Sequence, residues 1–228
     1  MSAIRAEKPE LKEMWANIML LHIVGAGFDT LGTSLASFTS LVSRTPECQN
    51  RLVEEIHDSN LNRECKSEQL MQLPYLQACI RETMRLKPII ATSLTRTVPP
   101  QGHMLGDSHV PAGTIAGINP VVLHRTKEIF GNDANCFRPE RWIEASKEQR
   151  DAIELCSLAF YSPRRICPRK NLAWLILCRT VVESFRQFAV RILEDEEVVR
   201  KALPPHREES FFVFKPYNIW AEFQTRVG

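Results

Sequence analysis

The sequence predicts a mainly α fold with small β-sheets. Three observations point to it. Apolar side chains recur at helical spacing from about Glu10 to Arg44; Leu73–Leu86 and Asn171–Phe188 read as further helices; and Ile89–Ile118 is rich in Thr, Val, Gly and Pro, as short strands joined by turns are. With 228 residues, 44% hydrophobic and 25% charged, the chain has ordinary globular composition and enough apolar material for one core.

The first helix carries Leu11, Met14, Trp15, Ile18, Met19, Leu21 and Ile23 at helical spacing, and Pro46 ends it and opens a second, Pro46–His57. Its interior contains Gly25–Thr30, GAGFDT. Each mid-helix glycine costs about 1 kcal/mol against alanine, so the pair needs a reason. Close approach of another backbone is one reason, and close approach of a flat ligand is another. Asp29 and Thr30 place an acid and a hydroxyl beside the glycines. A threonine hydroxyl can bond a carbonyl one turn back and open the helix locally.

His57–Gln72 is polar and reads as loop with a short helical turn. Pro88 closes the helix Leu73–Leu86, in which Glu82 and Arg85 share a face beside Ile80, Met84 and Leu86. An exposed pair of this kind is worth little. A buried one needs a further partner for the guanidinium's donors.

Within Ile89–Ile118, turns fall at Pro99-Pro100, Gly106-Asp107 and Pro111–Gly113, and Arg96 lies in the first strand. Asn119–His124 reads as a short helix. Phe130–Trp142 is turn-rich and ends in Pro139-Glu140-Arg141-Trp142, so Arg141 is a candidate third member for the Glu82–Arg85 pair. Ile143–Leu158 reads as loop and helical turn. The tail predicts strands at Val190–Leu193 and Phe211–Gln224, with FFVFKP and YNIWAEFQ as a hairpin. No repeat or linker divides the chain, so residues 1–228 are expected to form one unit.

A net charge of +2, without a long basic run, argues against nucleic acid as a partner. Seven cysteines at irregular spacing without C-x-x-C argue against a disulfide framework and against zinc. The polar start MSAIRAEKPELKE is not a signal peptide. The apolar run Ile18–Val24 falls short of the roughly 20 residues of a membrane span, so no anchor is expected.

Phe160–Ala173, FYSPRRICPRKNLA, concentrates the chemistry. Cys167 lies among Arg164, Arg165, Arg169 and Lys170, ahead of an apolar helical run, and Pro168 suits a first turn. Nearby cations and helix N-terminal amides favour a thiolate. A structural cysteine at a helix start is the plainer explanation of the stretch taken alone.

Together these segments resemble the C-terminal half of a cytochrome P-450, a haem-thiolate monooxygenase. Ala26-Gly27-Phe28-Asp29-Thr30 is similar to that family's oxygen-activation motif, Glu82-x-x-Arg85 to its E-x-x-R and Phe137–Trp142 to its P-E-R element. Phe160, Arg165 and Cys167 are similar to its cysteine-ligand loop. The four stand in the family's order. VPAGT, VLHR, FRPERW and KNLAW look most like filamentous-fungal members that decorate secondary metabolites.

The resemblance implies haem with Cys167 as axial ligand. Asp29 and Thr30 would serve oxygen activation. Arg96 and Arg165 would hold haem propionates, and Phe160 would shield the sulfur. Glu82, Arg85 and Arg141 would form a buried structural triad. It also implies a small hydrophobic substrate and an NADPH-dependent reductase, with Ile89–Leu94 and Val213–Tyr217 bordering the substrate pocket. Location at the endoplasmic reticulum membrane is the family's, although no anchor is expected here.

Two departures from the family pattern stand out. The ligand loop has Pro163 and Arg169 where glycines are usual. Glycine serves positive φ or close approach, whereas proline fixes φ and arginine adds bulk. The chain also corresponds to only the later part of a complete member, so apolar helix surface is expected to lack its usual cover and to promote association. The competing expectations are a truncated monooxygenase, a non-catalytic remnant that binds haem poorly or not at all, and a subunit completed by a second chain.

Overall fold

The computed structural model describes residues 9–62, 64–160, 165–193, 207–210, 214–217 and 219–226. Among them the chain is predominantly helical, with four two-stranded antiparallel sheets.

Helix α1, Pro9–Ser43, runs 35 residues. No proline interrupts it, and Pro46 occupies the first turn of α2, Pro46–Asp58, where its missing N–H has no partner to lose. The two halves of α1 differ sharply. Phe38 and Val42 are buried, as are the hydroxyl side chains of Thr33, Ser34, Ser37 and Ser40. Upstream, Trp15, Leu21 and Phe28 are 48%, 72% and 79% exposed.

After the short α3, Ser67–Met71, comes α4, Pro74–Leu86, the central helix of the described structure. No side chain of its own N-cap residue, Leu73, satisfies its first amides. Glu55 of α2 does so instead, accepting from Tyr75 N at 2.7 Å and Leu76 N at 2.8 Å. A carboxylate there satisfies orphan donors and meets the positive end of the helix dipole.

The core forms where the second half of α1, α2, α4 and α9 (Lys170–Gln187) meet, around Phe38, Leu52, Leu76, Ile80, Val181 and Phe185. Phe38 and Phe185 pack edge to face at 5.8 Å between ring centroids. Burying each such side chain contributes about 1.5–3 kcal/mol. A smaller cluster, Ala78, Phe130, Ala134, Trp142 and Ile153, lies on the other flank of α4.

Strand β1, Leu94–Thr97, pairs antiparallel with β4, Ile115–Ile118; β2, His103–Leu105, pairs with β3, Ser108–Val110. Gly106 turns the second pair at φ +58°, a conformation that favours glycine. Asn119 caps α5, Pro120–Leu123, its side-chain oxygen accepting from Val121 N at 2.8 Å. Helices α6, Lys127–Phe130, and α7, Arg141–Glu144, flank the turn-rich segment between them.

Three expectations change. Residues 147–156 form a regular helix, α8, rather than loop; Ser146 and Gln149 close a capping box at its start. The tail hairpin is replaced by two other pairings. Strand β5, Phe188–Ile192, pairs with β8, Ala221–Thr225, and β6, Arg207–Ser210, pairs with β7, Phe214–Tyr217. Thus Phe214–Lys215 face residues upstream of them, while Ala221–Gln224 face the strand that continues α9; residues 211–213 lie outside the described residues. Finally, Glu13–Ser43 is long and apolar enough to cross a membrane by length and composition. The run Ile18–Val24 is only part of it, because glycine and hydroxyl residues extend it almost without charge. A helix apolar on all sides fits the core of a larger fold as well as a bilayer.

Candidate functional site

The last two turns of α4 carry Glu82, Thr83 and Arg85, all buried. Arg85 Nε and Nη2 each donate to Glu82 at 2.8 Å. Its remaining donors reach the carbonyls of His124 at 2.7 Å, Ala134 at 2.6 Å and Cys136 at 3.1 Å. Arg141, from α7, donates Nε to Glu82 Oε1 at 3.0 Å. It also bonds Asp133 Oδ1 at 3.2 Å, the Asp133 carbonyl at 3.1 Å and the Phe130 carbonyl. Glu82, Arg85 and Arg141 therefore lie in one network with side-chain exposures of 0–2%.

Four members of this network have no counterpart in the sequence expectations. Trp142 Nε1 donates to Glu82 Oε2 at 2.9 Å, and the Arg138 amide donates to Oε1 at 2.9 Å. Asp133 receives Arg138 as well as Arg141. Burial raises the pKa of the Asp133 carboxyl, but the hydrogen bond and charge of Arg141, with the charge of Arg138, hold it below its ordinary value. The fourth is His124, fully buried, with Nδ1 3.1 Å from Arg85 O and Nε2 accepting from Leu158 N at 3.0 Å. Position in the sequence gives no sign of its bonds. Trp142, directly after Arg141, is the one member whose type and place were suggestive, since a buried indole N–H needs an acceptor.

Cys167 is half-buried and lies three residues before the first residue of α9. Its amide donates to Phe160 O at 3.0 Å, and its carbonyl accepts from Lys170 N at 3.2 Å, so the segment entering α9 is closed back on Phe160. Phe160 packs against Trp174 of α9 at 6.0 Å, and Lys170 Nζ lies 5.9 Å from the Phe160 ring centroid. Trp174 Nε1 in turn donates to Gln77 of α4 at 2.6 Å. Arg165 is exposed; Arg164 and Pro163 lie outside the described residues. Arg169 has φ −107°, a backbone that any residue adopts, so no glycine is required there.

In α1, Thr30 Oγ1 donates to Ala26 O at 2.7 Å, the backbone bond expected of this residue, and the helix stays continuous. Asp29 and Thr30 are half-buried. A Cβ added at Gly25, Gly27 or Gly32 would meet nothing within 4 Å, so the helix has open space around these glycines. Arg96 lies in β1 opposite Ala116, exposed, with Nη1 donating to the Thr95 carbonyl at 2.6 Å.

A cavity of about 900 Å³ opens between α3, α4, α9 and the segment before Cys167, lined by Met71, Gln77, Met84, Phe160, Ile166 and Trp174. Of the sequence-predicted site residues only Phe160 borders it; Thr30, Arg96 and Cys167 do not. Ile166 and Lys170, on either side of Cys167 in the chain, line it too.

The donor set fits haem. Among the described residues no three His, Cys, Asp or Glu side chains cluster as metal ligands. Cys167 lies in the chain among Arg165, Arg169 and Lys170, residue types that would suit a thiolate ligand and an anionic haem edge.

The family model described as Cytochrome P450 matches residues 2–219. The chain belongs to the cytochrome P450 family, whose members are haem-thiolate oxidoreductases. A cytochrome P450 monooxygenase of Sordaria araneosa, sdnT, is 34% identical over 96% of this chain and 41% of its own length. Pisatin demethylase of Fusarium vanettenii is 36% identical over 74% of this chain and 32% of its own. A solved cytochrome P450, CYP102L1, superposes with a TM-score of 0.76 at 21% identity, covering 91% of this chain and 45% of that one, which shows the fold. The chain thus spans less than half the length of these relatives.

Proposed function

We propose that this chain is the haem-thiolate part of a fungal monooxygenase acting on a hydrophobic small molecule in secondary metabolism, with electrons from an NADPH-dependent reductase. The observation that carries it is the half-buried thiol of Cys167, among cations at the start of α9, in a chain of this family. Haem, when bound, supplies the oxygen-activating chemistry.

Each side chain then has a role. Cys167 would supply the thiolate that holds the iron, and Phe160, with Trp174 behind it, would keep water from the sulfur. Arg96 and Arg165 would hold the carboxylates of the haem edge by charge-assisted hydrogen bonds. Thr30 and Asp29 hold and pass a proton on the open face of α1. Glu82, Arg85 and Arg141 fix α4 and the segment before α7, which sets the loop's position. Residues 1–228 act as one partial domain. Association with a membrane follows the family.

A specific observation favours a second reading. Leu21 and Phe28 are 72% and 79% exposed beside the Gly25–Thr30 motif, so this face lacks cover. On that reading the chain is a non-catalytic remnant, or a subunit completed by another polypeptide. Haem titration of the purified chain separates the two. Stoichiometric uptake with a thiolate-type spectrum supports the enzyme; uptake only with a co-purifying polypeptide supports the subunit; no uptake supports the remnant.

A further inference from the structure

His124 is fully buried between the Glu82–Arg85–Arg141 network and the segment leading to Cys167. Its two ring nitrogens meet partners of opposite kind. Arg85 O can only accept, so Nδ1 donates to it; Leu158 N–H can only donate, so Nε2 accepts from it, and the Cys156 backbone also meets the ring. The imidazole is therefore neutral and in one tautomer. Arg85 closes the circuit by donating Nη1 to the His124 carbonyl at 2.7 Å. The ring packs edge to face on Phe130 at 6.4 Å, whose carbonyl receives Arg141.

On the far side, Leu158 lies two residues before Phe160, whose carbonyl receives the Cys167 amide. One unbroken path of hydrogen bonds and two short backbone links thus runs from Arg85 through His124 and Leu158 to Phe160 and Cys167. A buried and satisfied polar bridge specifies one arrangement, because any other leaves Nε2 or the Leu158 amide unpaired.

We propose that His124 is a positioning residue for the Cys167 loop. Its Nε2 anchors the loop's entry to the E-x-x-R network, so the network sets where the sulfur stands. Relevance to a metal ligand rests on the haem-thiolate reading; the anchoring itself does not.

The test uses the full chain and three variants. His124→Phe keeps ring size and removes both bonds. The amide of His124→Asn reaches only the Nδ1 position, while that of His124→Gln reaches Nε2. Backbone hydrogen exchange of the haem-free chain is the first readout. His124→Phe and His124→Asn are expected to raise exchange about tenfold at Leu158, Phe160 and Cys167, the loss of roughly one hydrogen bond. Leu177–Phe185 of α9 should stay protected, and His124→Gln should stay near the parent. In haem-loaded protein the thiolate-type fraction should fall in the same two variants and recover in His124→Gln.

Unchanged exchange at Leu158 in His124→Phe overturns the proposal. Equal loss of protection in α4, α9 and the loop for all three variants also overturns it, because His124 would then only support the core. If His124→Phe does not fold, Leu158→Pro removes the same bond from its other end and is judged by exchange at Phe160 and Cys167, since proline carries no amide hydrogen. A parent that takes up no haem refutes the haem reading alone; the exchange pattern still decides the anchor.

Discussion

Trp142 Nε1 and Glu82 Oε2 share a hydrogen bond of 2.9 Å inside the core. The carboxylate thus accepts from two arginines, an indole and the Arg138 amide. Trp142→Phe deletes one charge-assisted bond and is expected to destabilise by about 1.5–3 kcal/mol. Glu82→Gln leaves the buried Arg85 guanidinium without a counter-charge and Arg141 with Asp133 alone, and is expected to cost about 3–5 kcal/mol. Urea unfolding followed by circular dichroism checks both. Equal midpoints for parent and Glu82→Gln would contradict the account of the network.

His124 predicts acid sensitivity. Burial, with the nearby cations Arg85 and Arg125, lowers its pKa from 6.5 to about 4. Between those values the native imidazole holds fewer protons than the unfolded one. Its contribution is full above pH 6.5 and is lost as pH falls through about 4, a difference of about 3 kcal/mol. Glu55 has the opposite sign. Burial raises its carboxyl despite the Tyr75 and Leu76 amides, so its contribution is full below its unfolded value and is lost as pH rises through the raised one. Comparing the parent with His124→Gln cancels Glu55. The unfolding free energy of the parent is expected to fall relative to that of His124→Gln from pH 7 to pH 4.

Arg169 at φ −107° does not need glycine's freedom. Arg169→Gly is therefore expected to leave haem uptake unchanged. A titration showing tighter uptake would mean that the side chain's bulk, not the backbone, obstructs the site.

The uncovered half of α1 predicts association. Leu20 and Val24, 59% and 66% exposed, are one turn apart. Sedimentation velocity should show concentration-dependent assembly of the parent. The double substitution Leu20→Lys and Val24→Lys should shift it towards monomer, provided this face is the contact.

Sequence made the long elements legible where periodicity and proline agree, as in α1, α2, α4 and α9. Helix α8 reads in the sequence only as loop and helical turn because KEQRDAIELC is short and mostly polar, although Ser146-x-x-Gln149 carries a capping signature. The tail pairing was missed because β5 finds its partner about 30 residues later, which local pattern does not encode. At the site, Glu82, Arg85 and Arg141 could be named in advance because charge needs charge. The carbonyls of His124, Ala134 and Cys136 that complete Arg85 could not, since only the folded path brings backbone oxygens to a guanidinium.

The central claim is that Cys167 holds haem iron. The direct measurement is a carbon-monoxide difference spectrum of the reduced chain, expressed with ample haem precursor. The account predicts a red-shifted, thiolate-type Soret band that is lost in Cys167→Ser and kept in Cys136→Ser. No haem in the parent, or a band without the thiolate shift, would contradict it.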